Sequence, residues 1–464
     1  MKKKNTAAIN RRDFFRIAGA GAVAAGAGAL MPGCKPRSAA SAEGGAVDEV
    51  PTDKMTYRVN PHTGDKVSLL GYGCMRWPLR QKADGSGEEV DQETVNELVD
   101  YAIAHGVNYF DTAPVYVRGW SETATGIALK RHPRDKFFIA TKMSNPGDPS
   151  PQASLAMYHN SFKNLQVDYL DYYLMHNIGP GDGIATFRQR FIDNGMLDFL
   201  LKEKEAGRIR NLGWSFHGDV KVFDYALAMG IQWDFCQIQL NYQDWQHADP
   251  KRNINAEYLY GELVKHNVPA VIMEPLLGGR LARVPAQALA LMNGIDSESS
   301  AAKWAFRYAG TPENVLTVLS GMVYMEHLQE NIRTYAPLAP LNGAEYEMLE
   351  QVTGILVDSE YVQCTECQYC MPCPYGIDIP GTFGHYNRCV SAGKILKSAN
   401  DENYRTARRD FLVGYDRSVP KLRQADHCIG CEICRSHCPQ RINIPNEMRR
   451  INRYAENLKQ KSMF

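Results

Sequence analysis

No apolar run in this sequence is long and hydrophobic enough to span a bilayer stably. The one extended stretch, residues 17–31, is built of Ala and Gly rather than Leu and Ile. Net charge is missing too: 52 Lys and Arg meet 52 Asp and Glu, which leaves no electrostatic footprint for nucleic acid as a partner. Because Lys2, Lys3, Lys4, Arg11, Arg12 and Arg16 stand against Asp13 alone in the N-terminal segment, the remainder is mildly acidic. A Gly-rich turn opening a helix after the first strand-like run is also lacking, since GYGCMRWP at residues 71–78 runs into no helix; this disfavours an open doubly wound sheet. What remains is a chain of 464 residues, 44 % hydrophobic, long enough for more than one packed domain and neither disordered nor fibrous in composition.

The weakly apolar stretch at residues 17–31 reads as the h-region of a signal peptide over residues 1–34. NRRDFFR at residues 10–16 resembles the twin-arginine translocation motif, which implies export to the periplasm or cell envelope. LMPGC at residues 30–34 resembles a lipoprotein cleavage site but departs from it at Met31 and Pro32, so a lipid-anchored and an unmodified Cys34 both stay open. Residues 35–54, rich in Ala, Ser, Gly and charge, read as a flexible tether.

Exported cysteines ordinarily pair as disulfides. Here eight of the 12 fall in two runs, Cys364, Cys367, Cys370, Cys373 and Cys428, Cys431, Cys434, Cys438. The runs are an internal repeat, because CPYGIDIP at residue 373 and CPQRINIP at residue 438 continue the similarity past the last cysteine. Cysteines two residues apart in a tight loop turn their sulfurs inward together, which suits a compact metal cluster better than long-range bridges. Structural zinc usually separates two cysteine pairs by a dozen or more residues, and the third cysteine here follows at once. The second run, C-x2-C-x2-C-x3-C-P, resembles the bacterial ferredoxin motif for 4Fe–4S clusters; the first has two residues before its last cysteine instead of three. Two 4Fe–4S clusters are expected. The resemblance implies that the fourth cysteines cross over, so that Cys438 joins Cys364, Cys367 and Cys370 while Cys373 joins Cys428, Cys431 and Cys434. Helical periodicity in NRCVSAGKILKSA and NYRTARRDFLVGY makes residues 341–464 a mostly helical dicluster ferredoxin-like domain, with Cys389 packed as an apolar residue.

Between residues 55 and 340, eight strand-like runs alternate with amphipathic stretches: VSLLGYG, VNYFDT, KFFIATK, YLDYYLMH, IRNLGWS, FCQIQL, VPAVIME and NVLTVLS. Eight such alternations argue for a (β/α)8 TIM barrel, whose chemistry sits at the C-terminal ends of the strands. The segment resembles an aldo-keto reductase: NYFDTAPVY supplies Asp111 and Tyr116, FFIATKM supplies Lys142 and YLDYYLMHN supplies His176. A hydride added to a carbonyl leaves charge on oxygen, and a proton donor within reach removes it. Tyr116 is the expected donor. Since an ordinary tyrosine titrates near ~10, the Lys142 ammonium is expected to favour its phenolate, with Asp111 holding that lysine. His176 would orient the carbonyl.

The resemblance further implies NAD(P) contacts from Ser215 and Gln237 to the carboxamide, from Leu276, Gly278 and Gly279 near the pyrophosphate, and from Ser320, Gly321, Glu330 and Asn331 at the adenosine end. Two departures stand out: Phe216 replaces an expected asparagine, and Met273-Glu274 replaces the aromatic expected to stack on the nicotinamide. No Lys or Arg lies between Ser320 and Asn331, which slightly favours NAD over NADP. The expected function is an exported iron–sulfur oxidoreductase of the aldo-keto reductase type. It would act on a small-molecule carbonyl or alcohol, with its clusters relaying electrons from a membrane or protein donor. The reading kept beside it is an iron–sulfur electron carrier with a non-catalytic barrel.

Overall fold

Parallel strands buried on both faces appear in a sequence as near-continuous apolar runs, and the eight runs above become strands of one closed barrel. The computed structural model describes residues 49–248 and 254–460; the leader at 1–34 lies outside them. An antiparallel hairpin, β1 (Tyr57–Val59) and β2 (Lys66–Ser68), leads into β3 (Leu70–Gly73), and a second small pair follows, β4 (Leu79–Gln81) and β5 (Glu88–Val90). Then come β6 (Tyr109–Asp111), β7 (Phe138–Met143), β8 (Leu170–Met175), β9 (Ile209–Ser215), β10 (Phe235–Gln239), β11 (Ala270–Met273) and β12 (Val315–Ser320), alternating with helices. β3 and β6 to β12 pair in chain order, and β12 returns to β3 in parallel through Val318↔Leu70 and Ser320↔Tyr72. Side chains alternate across the wall: Tyr109, Tyr172, Phe235, Val271 and Leu319 fill the lumen, capped by Val67 of the hairpin, while Phe110, Tyr173, Cys236 and Ile272 face the helices. The filled lumen leaves the C-terminal mouth as the place for chemistry.

Two boundaries differ from expectation. Val50 is buried in the barrel's outer core, so the described end of the 35–54 segment is anchored there although residues 52–54 stay exposed. The helix Gly343–Val357, placed by sequence beyond a boundary at 340, buries Met348, Leu349, Val352 and Leu356 in that same core. Its start is fixed by a capping box between Asn342 and Glu345, and Arg307 of the barrel grips Glu345 through two bonds of 2.8 Å. A separate core follows, built from Phe383, Tyr386, Phe411, Tyr415, Met448 and Ile451 on the helices Ile379–Ser391, Tyr404–Ser418 and Ile444–Gln460. The first of these begins earlier than NRCVSAGKILKSA suggests and stops at Ser391. Asp378 caps its start on the Gly381 N–H at 3.0 Å, and Gly393 adopts a φ of +63° just beyond its end. Among the described residues no helix is long and apolar enough to cross a membrane.

Candidate functional site

Three strand ends deliver the tetrad to one cleft of about 740 Å³ at the barrel mouth. Asp111 ends β6, Lys142 is the penultimate residue of β7, His176 follows β8, and Tyr116 sits on the turn after β6. Beyond Tyr116 the backbone passes through Val117 and Arg118 at φ of 49° and 56°, left-handed conformations costly for residues with a Cβ and typical of tightly held functional turns. Lys142 Nζ lies 2.6 Å from Asp111 Oδ1 and donates to the Thr112 carbonyl at 2.8 Å. Burial pushes the Asp111 carboxyl up and the Lys142 ammonium down, and each offsets the penalty of the other. Asp111 Oδ2 has no partner.

The expected depression of the Tyr116 phenol is not what the geometry produces. The hydrogen bonds of Lys142 go to Asp111 and Thr112, and its ammonium stands over the face of the Tyr116 ring, 5.0 Å from the centroid. Burial is the largest influence on Tyr116 and raises its pKa well above the ordinary value, which keeps the phenol protonated. His176 stands edge-on to Tyr116 with ring centroids 5.9 Å apart. Its Nδ1 is bonded to the Ser144 hydroxyl, which leaves Nε2 for a ligand. Burial, then Lys142 and Arg190, hold the imidazole well below its usual pKa. Arg190 itself donates to the His176 carbonyl at 2.6 Å.

All nine expected nucleotide contacts except their partners can be located: Ser215, Gln237, Leu276, Gly278, Gly279, Ser320, Gly321, Glu330 and Asn331 line the same cleft. At the carboxamide end the fit is good. Gln237 Oε1 and Asn177 Oδ1 are buried acceptors without partners, suited to an amide NH2, while Ser215 Oγ accepts from the Asn177 N–H at 2.8 Å. Phe216 turns into the core against Trp214 and Phe223, so its departure from the family pattern leaves no side chain in the cleft. At the pyrophosphate end the fit is poor. The Gly279 N–H bonds to the Leu276 carbonyl at 2.9 Å, and the Leu277 N–H to the Glu274 carbonyl at 3.1 Å. Asn331 donates to Ser320 Oγ at 3.0 Å. Glu274, where a stacking aromatic is expected, is a half-buried carboxyl pushed up by desolvation and countered by Arg76.

Among the described residues no cysteine forms a disulfide, and no three His, Cys, Asp or Glu side chains gather tightly enough to hold a metal ion. Instead Cys364, Cys367, Cys370 and Cys438 line one cavity, walled by Ile379, Phe383, Ile442 and Ile444. The electrostatic neighbours of Cys434 are Cys373, Cys428 and Cys431. Four thiols around an apolar cavity suit a cluster larger than one ion. Cys389 lies in the neighbouring core, 6 % exposed, with Sγ 3.6 Å from His385 Nε2.

Sequence reasoning missed several residues that shape the cleft: Arg76, Ser144, Asn177, Arg190 and Tyr369. Tyr369 and Cys367 belong to the first cysteine run, yet both line the cleft that holds the tetrad.

Residues 69–353 match the model of the Aldo/keto reductase family, and residues 363–443 match the model of a 4Fe-4S dicluster domain. "Protein tas" of Escherichia coli K12 is 31 % identical over 188 residues, covering 35 % of this chain and 52 % of its own length. The chain thus spans about half the length of that relative. L-galactose dehydrogenase of Arabidopsis thaliana is 27 % identical over 329 residues, covering 65 % of this chain and 95 % of the relative. A crystal structure of an aldo-keto reductase from Klebsiella pneumoniae in complex with NADPH superposes with a TM-score of 0.51 at 21 % identity, over 64 % of this chain and 96 % of that one. With its barrel matched from strand β3 onward and a 4Fe–4S dicluster domain behind it, the chain belongs to the aldo/keto reductase family.

Proposed function

We propose that this oxidoreductase reduces a small-molecule carbonyl, or oxidises the corresponding alcohol, with Tyr116 as proton donor and electrons passed through its cysteine-rich domain. The observation that carries the reading is that Cys367 lines the same cleft as Asp111, Tyr116, Lys142 and His176. When bound, clusters held by Cys364, Cys367, Cys370 and Cys438 and by Cys373, Cys428, Cys431 and Cys434 would supply single electrons, and a nicotinamide at Ser215 and Gln237 would supply hydride.

The chain's own groups do the rest. His176 Nε2 orients the substrate oxygen. Tyr116, kept protonated by burial, gives its proton to that oxygen as charge develops. The Lys142 ammonium over the ring face then steadies the phenolate left behind, and Asp111 holds the lysine. The stretch from Ser320 to Asn331 offers a 2′-phosphate no Lys or Arg, which favours NAD; the Klebsiella relative in complex with NADPH makes NADP the comparison to titrate. A second reading, electron transfer over a non-catalytic barrel, draws on the spent N–H groups at Leu277 and Gly279 and on the carboxyl of Glu274.

Tyr116→Phe in anaerobic holoenzyme separates the two. Carbonyl turnover should fall at least ~10²-fold with the cluster spectra untouched; unchanged turnover would favour the scaffold. With the clusters chemically reduced and no free nicotinamide, electrons should reach substrate or retained nucleotide.

We also propose twin-arginine export, because a pathway that moves folded cargo preserves clusters assembled in a reducing cytoplasm. Replacing Arg11 and Arg12 with Lys should leave loaded protein inside the cell. Normal export of that variant would count against the pathway.

A further inference from the structure

His176 is held at three points by its own chain. Its backbone N–H bonds to the Met143 carbonyl at 3.2 Å, Ser144 takes Nδ1 of the ring, and Arg190 Nη2 donates to its carbonyl at 2.6 Å. Arg190 is only 4 % exposed, and its guanidinium gives its other bonds to the Asn177 carbonyl at 2.8 Å and to Asn145 Oδ1 at 3.2 Å. All three acceptors are uncharged. Burial lowers the guanidinium to about 10, so it stays a cation at neutral pH. A buried cation with no anion beside it is costly, and the surroundings hold it in place. Asn145 Nδ2 donates back to the Arg190 carbonyl at 3.1 Å, and Arg190 lies on a wide π-turn, Arg188–Ile192, closed by the Asp193 N–H on the Arg188 carbonyl at 2.8 Å. Asn177 follows His176 at a left-handed φ of 54°, with both consecutive carbonyls on the one guanidinium.

We propose that Arg190 is a positioning residue for the reaction: by holding the carbonyls of His176 and Asn177 from behind the cleft wall, it sets the direction in which His176 Nε2 meets the substrate oxygen. This rests on the reading that His176 orients that oxygen. The cleft is lined by His176 and Asn177 but not by Arg190, which therefore acts through them. Lysine would keep the charge but present it from one nitrogen, without the fixed fork that spans two carbonyls and Asn145. A misdirected Nε2 matters most where charge develops on oxygen, so the loss falls on kcat more than on KM.

The test uses iron-loaded, full-length protein carrying Arg190→Lys, with histidine labelled with 13C at Cε1 and benzaldehyde as the carbonyl probe. The resonance that vanishes in His176→Gln identifies His176, and it should shift in Arg190→Lys. We expect kcat to drop about tenfold or more with KM within about twofold, while iron content and the cluster EPR signals stay as in the parent. Should Arg190→Lys yield no loaded protein, Asn145→Ser, which loosens Arg190 without removing it, should shift the same resonance and lower kcat by a few-fold. An unmoved His176 resonance in the loaded variant, or a loss confined to KM, overturns the proposal. Full turnover in His176→Gln would refute the oxygen-binding role of His176 instead, while the resonance would still decide whether Arg190 positions that ring.

Discussion

The two nitrogens of His176 have different fates, and one of them fixes a pH dependence. Nδ1 is taken by Ser144, and burial together with Lys142 and Arg190 keeps the ring neutral well below its ordinary pKa. Lowering the pH through about 6.5 therefore leaves the folded site uncharged while the unfolded chain takes up a proton. Two consequences follow from that sign. The kcat/KM profile should show no acidic limb near pH 6.5, and folding stability should begin to fall as the pH drops below that value. A limb near 6.5 that disappears in His176→Gln would contradict the burial argument.

At the scale of elements, the contact between the barrel loop after β11 and the first cysteine loop is the tightest test. Gly278 has a φ of +68°, and a Cβ there would meet the Thr365 Cα and carbonyl oxygen at 2.4 Å, backbone atoms that cannot swing aside. Gly278→Ala should push the cysteine loop off the barrel, lowering iron per chain and the first cluster's EPR signal while far-UV circular dichroism stays unchanged. Full iron with unaltered spectra would mean that the loop tolerates the displacement. The barrel strands were legible beforehand because burial on both faces writes itself as short apolar runs with β-branched and aromatic residues. The helix Ile379–Ser391 was read out of position because Pro380, Gly381 and Gly384 lower its local propensity, and its start depends on the Asp378 cap and on packing. Tyr369 was illegible for a different reason. It reaches the cleft that Tyr116 lines from a distant part of the chain, and no periodicity in either segment encodes that meeting.

For the whole molecule, the decisive arrangement is how the two cysteine runs share their members. Cys438 comes to the cavity of Cys364, Cys367 and Cys370, and Cys373 comes to the neighbourhood of Cys428, Cys431 and Cys434. Cys373→Ala should therefore perturb the cluster held mainly by the second run, whereas Cys389→Ala, a change inside the adjoining core, should leave both clusters in place. Iron counting with EPR distinguishes them, and loss of the other cluster in Cys373→Ala would refute the crossing.

That exchange of members also sets an order of biosynthesis. A ribosome that has passed residues 364–373 has made three thiols of one group and one of the other, so neither can accept its metal. The group drawn mainly from the later run is complete once Cys434 exists, and the group begun first is complete only with Cys438. A chain cut short between those two residues would carry every strand of the barrel and a full set of thiols for the more distant cluster. It would lack one member of the group whose Cys367 lines the cleft, so under the proposed electron relay the step of maturation that reaches the barrel comes last.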